Sequence, residues 1–225
     1  MPSYNKLVFL NGSPRGPQGN TALMISHFLR GFEALDGRQT ETFHLFRTAG
    51  IPEYVRAFEQ AELVLLGFPL YTDAMPGLVK EFIDALAPLA GRKGNPAVLF
   101  FVQSGFPEAA HSRPVEAYLR RLAELLGCDC LGVIVKGGGE GIRSMPDKWT
   151  APMFAQFEAL GRGLAETGAL DAGLLKKIAG RERYPRILAP LFKLVKLTGL
   201  LDFYWKAQMK ENGVTERALD RPYEE

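Results

Sequence analysis

Short apolar runs alternate with helical stripes along most of the chain. Residues 7–10 form a continuous apolar run. A strand covered on both faces reads this way, without polar alternation. Residues 22–35 follow, with Met24, Phe28, Gly31, Phe32 and Leu35 on one helical face. Gly37 gives a break. The partial alternation of 40–46 predicts a second strand, and 51–61 predicts a short helical crossover. Residues 63–68 are again apolar throughout, then Leu78, Val79, Phe82, Ile83 and Leu86 mark an amphipathic helix with Pro76 at its start. The pattern repeats with a strand at 97–102 and a helix opened by Pro114 that turns Val115, Tyr118, Leu119, Leu122 and Leu126 inward. A fifth strand at 131–135 precedes a helix capped by Asp147 and carrying Phe154, Phe157, Leu160 and Leu164.

Five buried strands separated by helices argue for an α/β domain with a parallel sheet over residues 1–167. The alternation stops at about residue 168. Residues 187–209 are apolar but interrupted by Lys193, Lys196, Asp202 and Lys206, which makes a poor membrane span. Cover for such a segment can come from the domain's own surface, a dimer partner, a lid position over the active site or a membrane surface. A mostly helical extension over 168–225, packed on the domain or on a partner, is predicted, with no stable membrane insertion.

Composition narrows the classes further. With 225 residues, the chain is long enough for one sizeable domain and an appendage. A formal net charge of +2 and no basic run argue against nucleic acid as a partner. The only cysteines, Cys128 and Cys130, read as structural thiols. His27, His44 and His111 lack ligand spacing, so no metal is predicted. The first residues lack the charged-then-apolar pattern of a signal peptide, which predicts a cytoplasmic, reduced setting.

Three loops leave the carboxyl ends of strands with chemistry to offer. Residues 11–21 run Asn-Gly-Ser-Pro-Arg-Gly-Pro-Gln-Gly-Asn-Thr between a strand and a helix start. Free backbone N–H groups and the helix dipole there suit an anion, most often phosphate, and Ser13, Arg15, Asn20 and Thr21 add donors. Gly19-Asn20-Thr21 lacks the lysine of a P-loop, and glycines 12, 16 and 19 do not form a dinucleotide fingerprint. The same composition also serves an ordinary capped βα turn. Residues 69–76 offer prolines, Tyr71 and Met75, a mixture that suits a flat heteroaromatic ring. Residues 103–106 add Ser104, Gly105 and Phe106. A phosphate at one end and a flat ring at the other describe a mononucleotide. Asp73 and Glu140 read as solvated loop carboxylates, as proton relays or as contacts to substrate, and the triple glycine 137–139 as a mobile turn or as room for close approach of a ligand.

Asn-Gly-Ser-Pro-Arg…Gly-Asn-Thr after the first strand, with Pro-Leu-Tyr…Met-Pro-Gly-Leu-Val-Lys-Glu-Phe-Ile-Asp after the third, resembles the NADPH-dependent FMN reductase family of flavodoxin-like proteins. The resemblance covers about residues 5–166. It implies a five-stranded parallel sheet in the order 2-1-3-4-5 with helices on both faces, non-covalent FMN, and NAD(P)H as electron donor to a small-molecule acceptor. It assigns Ser13, Arg15, Asn20 and Thr21 to the phosphate, with Gln18 and Gly19 completing that loop. Pro69, Leu70, Tyr71 and Met75 would line the isoalloxazine, and Ser104, Gly105 and Phe106 would close its other edge. Gly16-Pro17 is an insertion relative to the family's usual loop. The resemblance names no catalytic side chain and implies no iron–sulfur cluster. It also implies a homodimer in which 187–204 serves the contact. A flavodoxin-like electron carrier acting on protein partners is the alternative, and the positive net charge counts against it.

Overall fold

Side chains alternate across each strand, so the all-apolar runs must be covered on both sides. In the computed structural model, which describes residues 4–185, 187, 203–217 and 220, they are. The strands β1 (Lys6–Asn11), β2 (Gln39–His44), β3 (Leu63–Pro69), β4 (Ala97–Gln103) and β5 (Cys130–Lys136) form one sheet of order β2-β1-β3-β4-β5. All its pairings are parallel. This is the sheet that the family resemblance implies.

Leu7 and Phe9 of β1, Leu63 and Leu65 of β3, and Leu99 and Phe101 of β4 point to one face. They meet α1 (Asn20–Glu33) and α5 (Asp147–Thr167), and Phe101 packs edge-on against Phe157 with ring centroids 5.6 Å apart. Val8, Leu10, Val64, Leu66, Val98 and Phe100 point to the other face. There α2 (Ile51–Gln60), α3 (Gly77–Ala85) and α4 (Arg113–Leu126) cover them. The edge strand β2 is only half-buried, which is why its sequence alternates rather than running apolar. A further helix, α6 (Ala172–Ala179), is capped by Asp171, whose carboxylate accepts from the Leu174 N–H at 2.7 Å. It packs on β5 and α5 through Ile178 and Ala179.

Three expectations shift in detail. Tyr118 faces outward and is exposed, while its neighbours Leu119 and Leu122 are buried. Asp147 is the first residue of α5 rather than its cap, and no side chain caps that end. Phe46 lies beyond β2, which ends at His44.

The chain divides into two compact units, Met1–Arg183 and Tyr184–Glu225. The described part of the second unit holds a helix, α7 (Phe203–Glu211), and a 3-10 turn at Thr215–Arg217. Most of the apolar segment 187–209 lies outside the described residues. No helix among the described residues is long and apolar enough to cross a membrane.

Candidate functional site

The switch in strand order lies between β1 and β3, and loops leaving carboxyl ends there open a crevice. The loop after β1 is knitted by Asn11, which is fully buried. Its amide nitrogen donates to the Gly16 carbonyl at 2.9 Å and approaches His44 Nδ1 at 3.0 Å, while its oxygen accepts from the Ser13 N–H at 3.1 Å. Burial, and then the charge of Arg47, hold the His44 pKa below its usual value. The imidazole is therefore neutral and its Nδ1 accepts. This folds the inserted Gly16-Pro17 into a 3-10 turn, Gly16–Gln18, that delivers the chain to α1.

The start of α1 is bare. Asn20, Thr21 and Ala22 have no carbonyl four residues back within the helix, and no side chain caps them. Gly19 precedes them for steric reasons: an added Cβ would lie 2.5 Å from Ser13 Oγ. Ser13, Asn20 and Thr21 are all buried there. Among the described residues Thr21 Oγ1 has no hydrogen-bond partner, an orphan in a fully buried residue. A phosphate on this helix end would satisfy both the hydroxyl and the bare N–H groups. The residues present thus fit the anionic end of a mononucleotide.

From that pole a cleft runs across the sheet edge, enclosing about 310 Å³ with its mouth included. Ser13, Arg15 and Asn20 line one end, Pro69, Leu70 and Tyr71 a side, and Gln103, Ser104 and Gly105 the other. The Leu70 N–H donates to the Gln103 carbonyl at 2.7 Å, joining the last two groups. Tyr71 pairs with Ala74 in a two-residue hairpin whose central Thr72 and Asp73 have φ of 48° and 60°. Positive φ is costly for a β-branched residue, so strain is stored in this turn beside the cleft.

The predicted residues distribute unevenly. Ser13, Arg15, Asn20, Pro69, Leu70, Tyr71, Ser104 and Gly105 line one cleft. Gly19 and Thr21 lie buried at the helix start behind it. Gln18 is exposed on the 3-10 turn, away from the lining. Met75 packs against the core cluster on the α3 side of the sheet. Phe106 stands at the rim, exposed and stacked on His111 with centroids 4.4 Å apart.

Four more residues take part: Glu140 and Arg143 come from farther along the chain, while Gln103 and Asn11 lie in the loops 103–106 and 11–21 without an assigned role there. Gln103 is 6% exposed and lines the cleft. Glu140 also lines it, with an oxygen 3.7 Å from Arg15 Nη1. Arg143 Nη2 donates to the Gly19 carbonyl at 3.1 Å. Asn11 organises the phosphate loop from beneath. Glu140 and Arg143 belong to the loop after β5, which Asn20 holds by donating from Nδ2 to the Gly139 carbonyl at 2.8 Å. The Gly139 N–H in turn donates to the Ser104 carbonyl at 2.7 Å. One N–H of the Asn20 amide is therefore committed to the protein itself. In the sequence this loop is signalled by the glycines at 137–139 and by Glu140, with nothing to join it to the helix start.

Comparison with known proteins gives the same architecture. The profile of the family described by its flavodoxin-like fold matches residues 5–149. No curated protein matches the chain. An FMN-dependent NADH-azoreductase from Bacillus anthracis, solved in complex with FMN, superposes with a TM-score of 0.57 at 15% identity, covering 72% of this chain and 99% of that one. The apo form of an NADH:FMN oxidoreductase gives 0.54 at 20% identity, covering 83% and 99%. The Trp repressor binding protein from Bacillus subtilis gives 0.53 at 16%, covering 70% and 96%.

Proposed function

The chain belongs to the flavodoxin-like family, and we propose that within it this protein is an FMN-dependent oxidoreductase, taking hydride from NAD(P)H and passing electrons to a small acceptor such as a flavin or quinone. The observation that carries this reading is the fully buried Thr21 hydroxyl, unpartnered among the described residues, at the bare start of α1 behind the cleft. Of the similar structures, one is named an FMN-dependent NADH-azoreductase and another an NADH:FMN oxidoreductase, which supports this reading.

FMN, when bound, would supply two-electron redox chemistry. The protein's part is to bind, orient and bias. Ser13 and Thr21 hydroxyls and the first N–H groups of α1 would hold the phosphate, with Arg15 closing from the solvent side. Pro69, Leu70 and Tyr71 supply an apolar wall. The Gln103 amide and the backbone of Ser104 and Gly105 supply polar contacts to a ring edge, where donors favour added negative charge. No side chain is required to move a proton.

Two measurements test this. The purified protein should carry visible flavin absorption, and rapid anaerobic mixing with NADH or NADPH should bleach it. Bleaching only when a separate reductase is added would make the chain an electron carrier instead. Arg15→Ala should weaken FMN binding by about 1 kcal/mol, near fivefold. This is the low end for a charge-assisted hydrogen bond, because the guanidinium is more than half exposed. Unchanged affinity would remove Arg15 from the phosphate site.

A further inference from the structure

We propose that the groove behind the loop after β5 is a second binding site, separate from the cleft, for a small planar aromatic monoanion held between the Lys136 ammonium and the Trp149 ring. The groove encloses about 730 Å³ with its open side included, and it shares no lining residue with the cleft. Its walls come from the end of β5, the first turns of α5, and α6.

Charge selects the sign of the ligand. Lys136 and Lys177 line the groove and no aspartate or glutamate does. Lys136 is half-buried, and among the described residues its ammonium donates only to the carbonyl of its own neighbour, Gly137, at 2.6 Å. An ammonium has three donors, so two remain for a ligand. Burial pushes its pKa down, and no aspartate or glutamate among the described residues lines the groove to hold it up. A bound anion would supply that missing partner.

Shape and polarity select the rest. Trp149 is 66% exposed and Met145 42% exposed, yet both line the groove, with buried Ile142 and Ile178 beneath. An indole face beside thioethers suits a flat aromatic ring. Trp149 and Met145 are large apolar groups left in water that such a ligand would cover. The site sits on the far side of the loop that faces the cleft: Gly138 lines the groove, while Gly139 and Glu140 contact or line the cleft.

The test uses the full-length protein saturated with FMN, so that the cleft is filled. A Trp205→Phe background leaves Trp149 as the sole tryptophan. Titrated 1-naphthoate should quench Trp149 emission saturably, with calorimetry giving the same affinity. The neutral 1-naphthamide should bind about tenfold more weakly. Lys136→Gln should lose about the same factor, and Lys136→Arg should restore most of it, as one charge-assisted hydrogen bond is worth. Flavin absorption in each variant reports that the fold is intact. Absence of FMN binding would sink the redox reading and leave this titration interpretable. No saturable quenching below about 1 mM naphthoate, a value at the weak limit of specific binding, would overturn the proposal. Equal affinity for the amide, indifference to Lys136→Gln, or competition with FMN would each do the same.

Discussion

Thr21 is buried completely, and its hydroxyl has no partner among the described residues. An unmade buried hydrogen bond costs the fold about 1–3 kcal/mol. Thr21→Val keeps the shape and removes the hydroxyl, so the FMN-free protein should be as stable as the parent or more so. FMN affinity should fall, by roughly 1 kcal/mol or more, because the lost group is a phosphate donor. Denaturant melts with and without FMN separate the two effects. A variant destabilised without FMN would show that the hydroxyl serves the fold. His44 carries a different signature one layer out. Its folded pKa is lowered, so below about 6.5 the unfolded chain binds the proton more readily. Stability should therefore fall as pH drops through 6.5 toward the folded value, and the acceptor facing Asn11 Nδ2 is lost with it. His44→Asn keeps an acceptor near the Nδ1 position and removes the titration. Urea midpoints at pH 7.5 and 5 should converge in that variant relative to the parent.

The element that holds the phosphate pole is α1, and its position is set by a crossing with α5 that only glycine permits. A Cβ on Gly31 would lie 1.9 Å from the Glu158 carbonyl oxygen, and one on Gly161 1.9 Å from that of Phe28. Backbone meets backbone there, so no rotamer change relieves the clash. Gly161→Ala should cost about 1–3 kcal/mol net of the helix propensity it gains, with a Tm drop of roughly 3–10 °C. FMN affinity should fall too, because α1 must shift. Gly163→Ala is the matched control: nothing lies within 4 Å of its Cβ, and it should stabilise by up to about 1 kcal/mol. Equal thermal shifts in the two variants would remove the crossing from the account. This contact was visible in the sequence only as Gly31 on the apolar stripe of the first helix. The buried strands were plain because their runs at 7–10, 63–68 and 97–102 do not alternate. The helix partner was not, since a close crossing depends on which backbone faces the glycine.

At the scale of the molecule, the three loops that local chemistry singles out do meet at one cleft, because a parallel sheet brings all its strand ends to one edge. What stayed hidden came from farther along the chain. Glu140 reads as a loop carboxylate or relay, and Arg143 carries no signal, until Asn20 ties that loop to α1. Met75 reads by type as a ring-facing thioether, and in the structure it is partly buried, with one side packed against the core cluster. The end of the folded unit depends on distant contacts in the same way. The alternation of strands and helices stops near 168, whereas compactness continues to Arg183. The reason is α6 and the strap behind it. Ile178 and Ala179 are buried, and Leu174 and Leu175 pack on the α1–α5 side of the core. Beyond them, the Arg181 and Glu182 carbonyls accept from the Ala109 and Ala110 N–H groups at 2.9 and 3.2 Å, and Glu182 pairs with Arg113. Each large apolar side chain exposed costs about 1.5–3 kcal/mol, against a total stability of about 5–15. Truncation after 183 should therefore leave a unit that unfolds cooperatively and binds FMN as the full chain does. Truncation after 167 should yield a protein that is insoluble or melts many degrees lower, with no FMN retained. A well-folded, FMN-binding 1–167 fragment would show that α6 and its strap are an appendage, and that the domain is complete where the alternation ends.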